Sequence, residues 1–117
     1  MDLASVCAFC QSLPGAVEDT PFGPDVLVFK VAGKLFALTD PQEHPARVNL
    51  KCDPGRAVQL REEYEAVVPG YHMNKKHWNT VVLDGSLPLG LVRELVQHSY
   101  DLVVASLTAA KRREAGL

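Results

Sequence analysis

The chain has 117 residues, 47% hydrophobic and 22% charged, a balance that supports one buried core of ordinary single-domain size, and a two-domain reading would need a linker that the sequence does not show. Twelve Lys and Arg against fourteen Asp and Glu give a net charge of −2, which excludes a whole-protein electrostatic attraction to nucleic acid or an anionic membrane; any basic site must be local. The opening MDLASVCAFC lacks a basic leader, no apolar run approaches the roughly 20 residues of a membrane span, and three cysteines are too few for a disulfide framework, so a cytoplasmic protein with free thiols is expected.

Asp2 can cap a first helix to about Leu13, because Leu3, Val6, Cys7, Cys10 and Leu13 recur at three- and four-residue spacing. Pro14-Gly15 stops it, and the following GAVEDTPFGPD reads as a surface loop pinned by Phe22. Val26 to Val31 and Lys34 to Thr39 are β-rich runs around Ala32-Gly33, which suits a two-residue hairpin turn. With Val31 opposite Lys34, strict alternation puts the pairs Phe29/Phe36 and Leu27/Leu38 on the core face; Lys30/Leu35, Val28/Ala37 and Val26/Thr39 go to the other.

Ala46 to Cys52 alternates with Val48, Leu50 and Cys52 on one side and Arg47, Asn49 and Lys51 on the other, predicting a sheet with one wet face. Asp53-Pro54 opens a short helix to about Tyr64. Trp78 to Leu83 reads as a further strand, and a long helix is expected from near Ser86 to Pro88 through Ala110. Its stripe contains Val92, Leu95, Val96, Ser99, Leu102, Val103, Ser106 and Leu107, with Tyr100 at the edge and the KRREAGL tail frayed. The sum is one α+β domain over residues 1–117, with three or four antiparallel strands and both terminal helices on one face.

The most unusual segment is PGYHMNKKHWNT at Pro69 to Thr80. It crowds two histidines, two lysines and two aromatics together, and no acid occurs between Glu65 and Asp84. Tyr71 or Trp78 could stack a base beside Lys75 and Lys76. The competing reading is structural: edge strands carry lysines to block sheet-to-sheet association, and a tryptophan can simply begin a buried strand. Lys30, Arg47 and Lys51 on the wet face would extend the basic loop into a patch, against the plainer reading of an ordinary solvated surface.

These segments resemble the MmcQ/YjbR family. The resemblance spans nearly everything from Leu13 to Leu107, through LPGAVED-x-PFG at Leu13 to Gly23, the FKVAGKLFAL hairpin, VNLKCDP at Val48 to Pro54, PGYHMNKKHWNTV at Pro69 to Val81 and HSYDLVV around Ser99-Tyr100. It implies a frataxin-like arrangement with a double-wing DNA-binding-like motif. By the same resemblance, the positions that matter are His72, Asn74, Lys75, Lys76, His77 and Trp78, with Lys51.

Other chemistry has little support in the residues. Cys7-x-x-Cys10 lies inside a helix with both sulfurs on the core face, and neither Cys52 nor the four histidines complete a metal-ligand set, so no metal or cofactor is expected. No Gly-rich phosphate loop, GxSxG or HExxH occurs, so no enzyme is expected. The leading expectation is a DNA-binding module; the alternative is a non-enzymatic module for a protein or an anionic small molecule. The oligomeric state is left open. A concave pocket converging on the Pro69 to Thr80 loop favours a small ligand, and a flat basic surface favours DNA or a protein.

Overall fold

The computed structural model describes residues 1–71, 73–88 and 90–117. Helix α1 spans Leu3–Ser12, and the Asp2 carboxylate caps it by accepting the Ser5 N–H at 2.8 Å. Six strands follow: β1 at Ala16–Asp19, β2 at Leu27–Val31, β3 at Lys34–Thr39, β4 at Arg47–Lys51, β5 at Val67–Pro69 and β6 at Trp78–Val82. They form one antiparallel sheet in the order β1-β2-β3-β4-β6-β5. Helix α2, Pro54–Glu63, links β4 to β5, its Asp53 carboxylate accepting the Arg56 N–H as expected from the Asp-Pro signature. Helices α3, Leu91–Ala105, and α4, Ala109–Glu114, close the chain.

Two strands lie where the sequence predicts none, the first of them within the segment read as a surface loop. The AVED segment pairs along β2, with Ala16 opposite Val31 and Asp19 opposite Val28. Val67–Pro69 pairs with the outer edge of β6. Both are short edge strands whose ladder bonds come from a neighbour already in place, so no local pattern announces them.

Buried side chains of α1 and α3 meet the sheet in a single core built on Phe29, Phe36, Val48, Leu50, Val96 and Val103. Phe36 lies edge-on to Tyr100 at 5.4 Å, and the Tyr100 hydroxyl donates to the Pro14 carbonyl. Tyr100 is therefore a core residue with a satisfied polar tip, not the edge of the stripe. Ser99 ties the layers together: its hydroxyl donates to the Phe36 carbonyl at 2.6 Å and accepts the Lys51 N–H at 2.9 Å.

The last helix differs from expectation at both ends. Gly90, at φ +90°, holds a left-handed conformation that an α-helix cannot include, so α3 begins only at Leu91. At the other end Ser106 closes α3, and the Thr108 hydroxyl caps α4 by accepting the Lys111 N–H. The tail is helical as far as Glu114, and Leu117 packs back against the core.

Candidate functional site

The β2-β3 hairpin turns at Ala32 and Gly33, both at positive φ, which matches the twist of the flanking strands. Val31 faces Lys34 and Lys30 faces Leu35, but beyond them the register slips: Phe29 faces Ala37, Val28 faces Leu38 and Leu27 faces Thr39. Phe36 is the extra residue of a β-bulge, so the expected pairs Phe29/Phe36 and Leu27/Leu38 do not form. A bulge reverses the phase of side-chain alternation. Phe36 and Ala37 both enter the core, while Leu35 and Leu38 both line a cavity of about 420 Å³.

Three connections wall this cavity. Phe22 and Val26 come from the segment between β1 and β2, Asp40 and Glu43 from that between β3 and β4, and Tyr71 and Met73 from that between β5 and β6. Asp40 sets the middle wall through its own turn, its carboxylate accepting the Gln42 N–H and its carbonyl the Glu43 N–H. Arg47, Asn49 and Thr80 add polar groups from the strands of the floor. The face expected to be wet is thus largely covered: Asn49 is 9% and Thr80 1% exposed, and Val28 is buried. The loops that cover it belong to distant stretches of chain, so strand alternation could not reveal them.

Asn49 and Thr80 face each other across β4 and β6. The Thr80 hydroxyl donates to Asn49 Oδ1 at 2.5 Å and accepts the Tyr71 N–H at 3.1 Å, while Asn49 Nδ2 donates to the Leu38 carbonyl at 3.4 Å. These bonds fix which edge of the amide is oxygen and which is nitrogen. The rim carries two carboxylates, Asp40 and Glu43, and one guanidinium, Arg47, whose Nε lies 3.9 Å from Glu43 Oε2. Phe22 and Tyr71, 67% and 64% exposed, are the large aromatics at the cavity.

The predicted basic residues are only partly gathered. Lys30 reaches back to Asp19 at 3.3 Å, and Arg47 turns toward Glu43, so each has a carboxylate beside it. Lys51 pairs with Trp78 at the end of β4 and β6, beside the turn that carries Lys75 and Lys76. Among the described residues none of these three lysines has an ion pair. The Lys75 ammonium donates to the Gly70 carbonyl at 3.3 Å, which draws it onto its own loop. The Asn74 side chain accepts the Lys76 N–H, and its carbonyl accepts the His77 and Trp78 N–H groups, so Asn74 shapes the turn. The His77 carbonyl takes the Cys52 N–H at 2.7 Å. His72 lies outside the described residues. Tyr71 is the predicted residue that joins Arg47 at the cavity; Lys30, Lys51, Asn74, Lys75, Lys76, His77 and Trp78 are not part of its lining.

The β5-β6 connection is held from behind. Arg61 of α2 donates to Asn79 Oδ1 at 2.6 Å and to the Lys75 carbonyl, while Asn79 Nδ2 donates to the Ala57 carbonyl. Gly70 sits where a Cβ would meet the Cβ of Trp78 at 2.9 Å, so only glycine allows this approach. The thiols play no part in the cavity: burial pushes Cys10 up to about 12 and raises Cys7 and Cys52 as well.

Comparison with known proteins places this architecture. The chain is 42% identical over 92 residues to the uncharacterized protein YbdF of Escherichia coli O157:H7, covering 79% of this chain and 74% of that one. It is 36% identical over 113 residues to the uncharacterized protein YjbR of Escherichia coli K12, covering 97% and 96%. The crystal structure of Deinococcus radiodurans protein DR2400, with its domain DUF419, superposes with a TM-score of 0.93 at 43% identity, covering 99% of this chain and 88% of that one. A Pseudomonas syringae protein superposes at 0.75 with 28% identity, covering 87% and 98%. The family model YjbR matches residues 11–102, and the chain belongs to the YjbR family.

Proposed function

We propose that this protein is a non-catalytic binding module that takes a small, uncharged molecule into the cavity on the sheet face opposite α1 and α3. The observation that carries this reading is the cavity itself. At about 420 Å³ it falls within the roughly 300–1,000 Å³ of small-molecule sites, and a few fixed polar groups converge among apolar side chains. Two carboxylates and one guanidinium at the rim favour a neutral occupant over an anion. Among the described residues the lining pairs no thiol or imidazole with a base, which favours binding over chemistry.

A fragment screen followed by two-dimensional NMR tests this. Binders are expected to shift resonances of Leu35, Leu38, Met73 and Thr80 together, and Leu38→Trp, which fills the cavity, to abolish binding with little change in Tm. Hits that leave those residues unmoved, or that survive Leu38→Trp, overturn the reading.

Lys51 and Lys76, near one another and without ion pairs among the described residues, favour DNA as a second reading. A six-phosphate contact loses on the order of 10³-fold in affinity between about 50 and 200 mM salt. A flat salt response, or retention by Lys51→Ala with Lys76→Ala, eliminates it. No helix among the described residues is long and apolar enough to cross a membrane.

A further inference from the structure

We infer that the cavity is built for a planar nitrogen heterocycle of purine size, held by the Asn49 amide edge and covered by Tyr71 and Phe22, an inference that rests on the small-ligand reading above. The amide is the central observation. Asn49 is almost wholly buried, lines the cavity, and is locked in orientation at both ends: Oδ1 takes the Thr80 hydroxyl proton, and Nδ2 gives one proton to the Leu38 carbonyl. A primary amide has two N–H donors and two oxygen lone pairs. Among the described residues one donor and one lone pair of Asn49 are therefore uncommitted, and because Leu38 and Thr80 lie on the strands either side of β4, the geometry leaves them to the amide edge between those partners. That adjacent donor and acceptor match the acceptor and donor on one edge of adenine, the pairing by which asparagine reads adenine in nucleic acids.

The surroundings agree with a flat, aromatic occupant. Tyr71 and Phe22 bring exposed rings to the cavity from different connections, and base–aromatic stacking contributes substantially to nucleobase binding. Leu35 and Leu38, both delivered by the bulge, supply apolar contact beside the amide. The rim, with Asp40 and Glu43 against Arg47, is net negative. A base or nucleoside therefore fits better than its phosphate ester, which brings the wrong charge.

The test compares adenine, adenosine, adenosine monophosphate and indole, the last a bicycle of similar size without the paired edge. Calorimetry with NMR mapping on the full chain measures affinity and place. Adenine or adenosine is expected to bind at least about tenfold more tightly than indole, as one bidentate pair allows, and more tightly than the monophosphate. Asn49→Ala is expected to remove that preference while indole binding persists. Because Asn49→Ala leaves the buried Thr80 hydroxyl without its acceptor, Tyr71→Ala serves as the second variant; its side chain is largely exposed, and it is expected to weaken adenine binding severalfold in a folded protein, checked by its NMR spectrum. Equal binding of indole and adenine, a preference for the monophosphate, or binding only of unrelated fragments overturns the heterocycle inference and leaves the cavity reading standing. A cavity that binds nothing overturns both.

Discussion

Replacing Gly70 by alanine probes the contact that sets the β5-β6 connection over the cavity. The added Cβ would lie 2.9 Å from Trp78 Cβ and 3.0 Å from the Trp78 carbonyl oxygen. Carbon atoms pack best at about 3.5–4.0 Å, so the strands must part by several tenths of an ångström, weakening the 3.0 Å bond from the Gly70 N–H to the Trp78 carbonyl. Overpacking of this kind costs roughly 1–3 kcal/mol. An unfolding entropy of about 2.1 cal/mol/K per residue gives roughly 0.25 kcal/mol/K for 117 residues, so Tm is expected to fall by about 4–12 °C. Scanning calorimetry measures this, and the fluorescence of Trp78, the single tryptophan, reports the local shift. The sign is diagnostic. A glycine replaced without steric conflict stabilises by about 0.4–1 kcal/mol through the unfolded chain, and Gly55→Ala, whose Cβ would meet only the Asp53 carboxylate at 3.5 Å, is expected to behave that way. A Gly70→Ala variant that melts at or above the wild type refutes the close approach.

Ala32 holds φ +49° in the hairpin turn, a conformation that asparagine tolerates better, so Ala32→Asn is expected to raise stability by about 0.5–1 kcal/mol in urea titration. Ser99→Ala strands the Lys51 N–H and the Phe36 carbonyl at the helix–sheet boundary and should cost about 1–3 kcal/mol, read as a lower urea midpoint with an unchanged m-value. The Cys10 thiol is pushed up by burial from 9.0 to about 12, so the folded state holds its proton longer than the unfolded chain. That contribution is full below about pH 9 and is lost as pH rises toward 12; the fall in urea midpoint between pH 9 and 11 is expected to be shallower in Cys10→Val than in the wild type.

Much of the framework is legible because its signals are local. Asp2 and Asp53-Pro54 mark helix starts through side-chain geometry, and β4 alternates cleanly enough to assign Val48 and Leu50 inward and Arg47 and Asn49 outward. The bulge is not legible. FKVAGKLFAL is apolar at most positions on both faces, so either phase of β3 buries hydrophobic residues, and only the fit of Phe36 against Phe29 and Tyr100 decides. The cavity is hidden for the same reason, since strict alternation sends Leu38 to the core, and Leu35, Phe22 and Met73 carry no signal of convergence. Leu35 and Val28, which alternation places on the outer face, are poor residues for a wetted surface and point to a cover. The basic loop stands out in sequence by composition, yet Lys75 and Asn74 turn inward on their own backbone.

The single inserted residue in β3 separates two kinds of tolerance along six positions of chain. Changes at Phe36 or Ala37 fall on the buried core, whereas on the small-ligand reading proposed above changes at Leu35 or Leu38 are expected to fall chiefly on what the cavity accepts. One backbone irregularity thus divides neighbouring side chains between the packing of the fold and the lining of the cavity, so the cavity can be reshaped at Leu35 and Leu38 without entering the core.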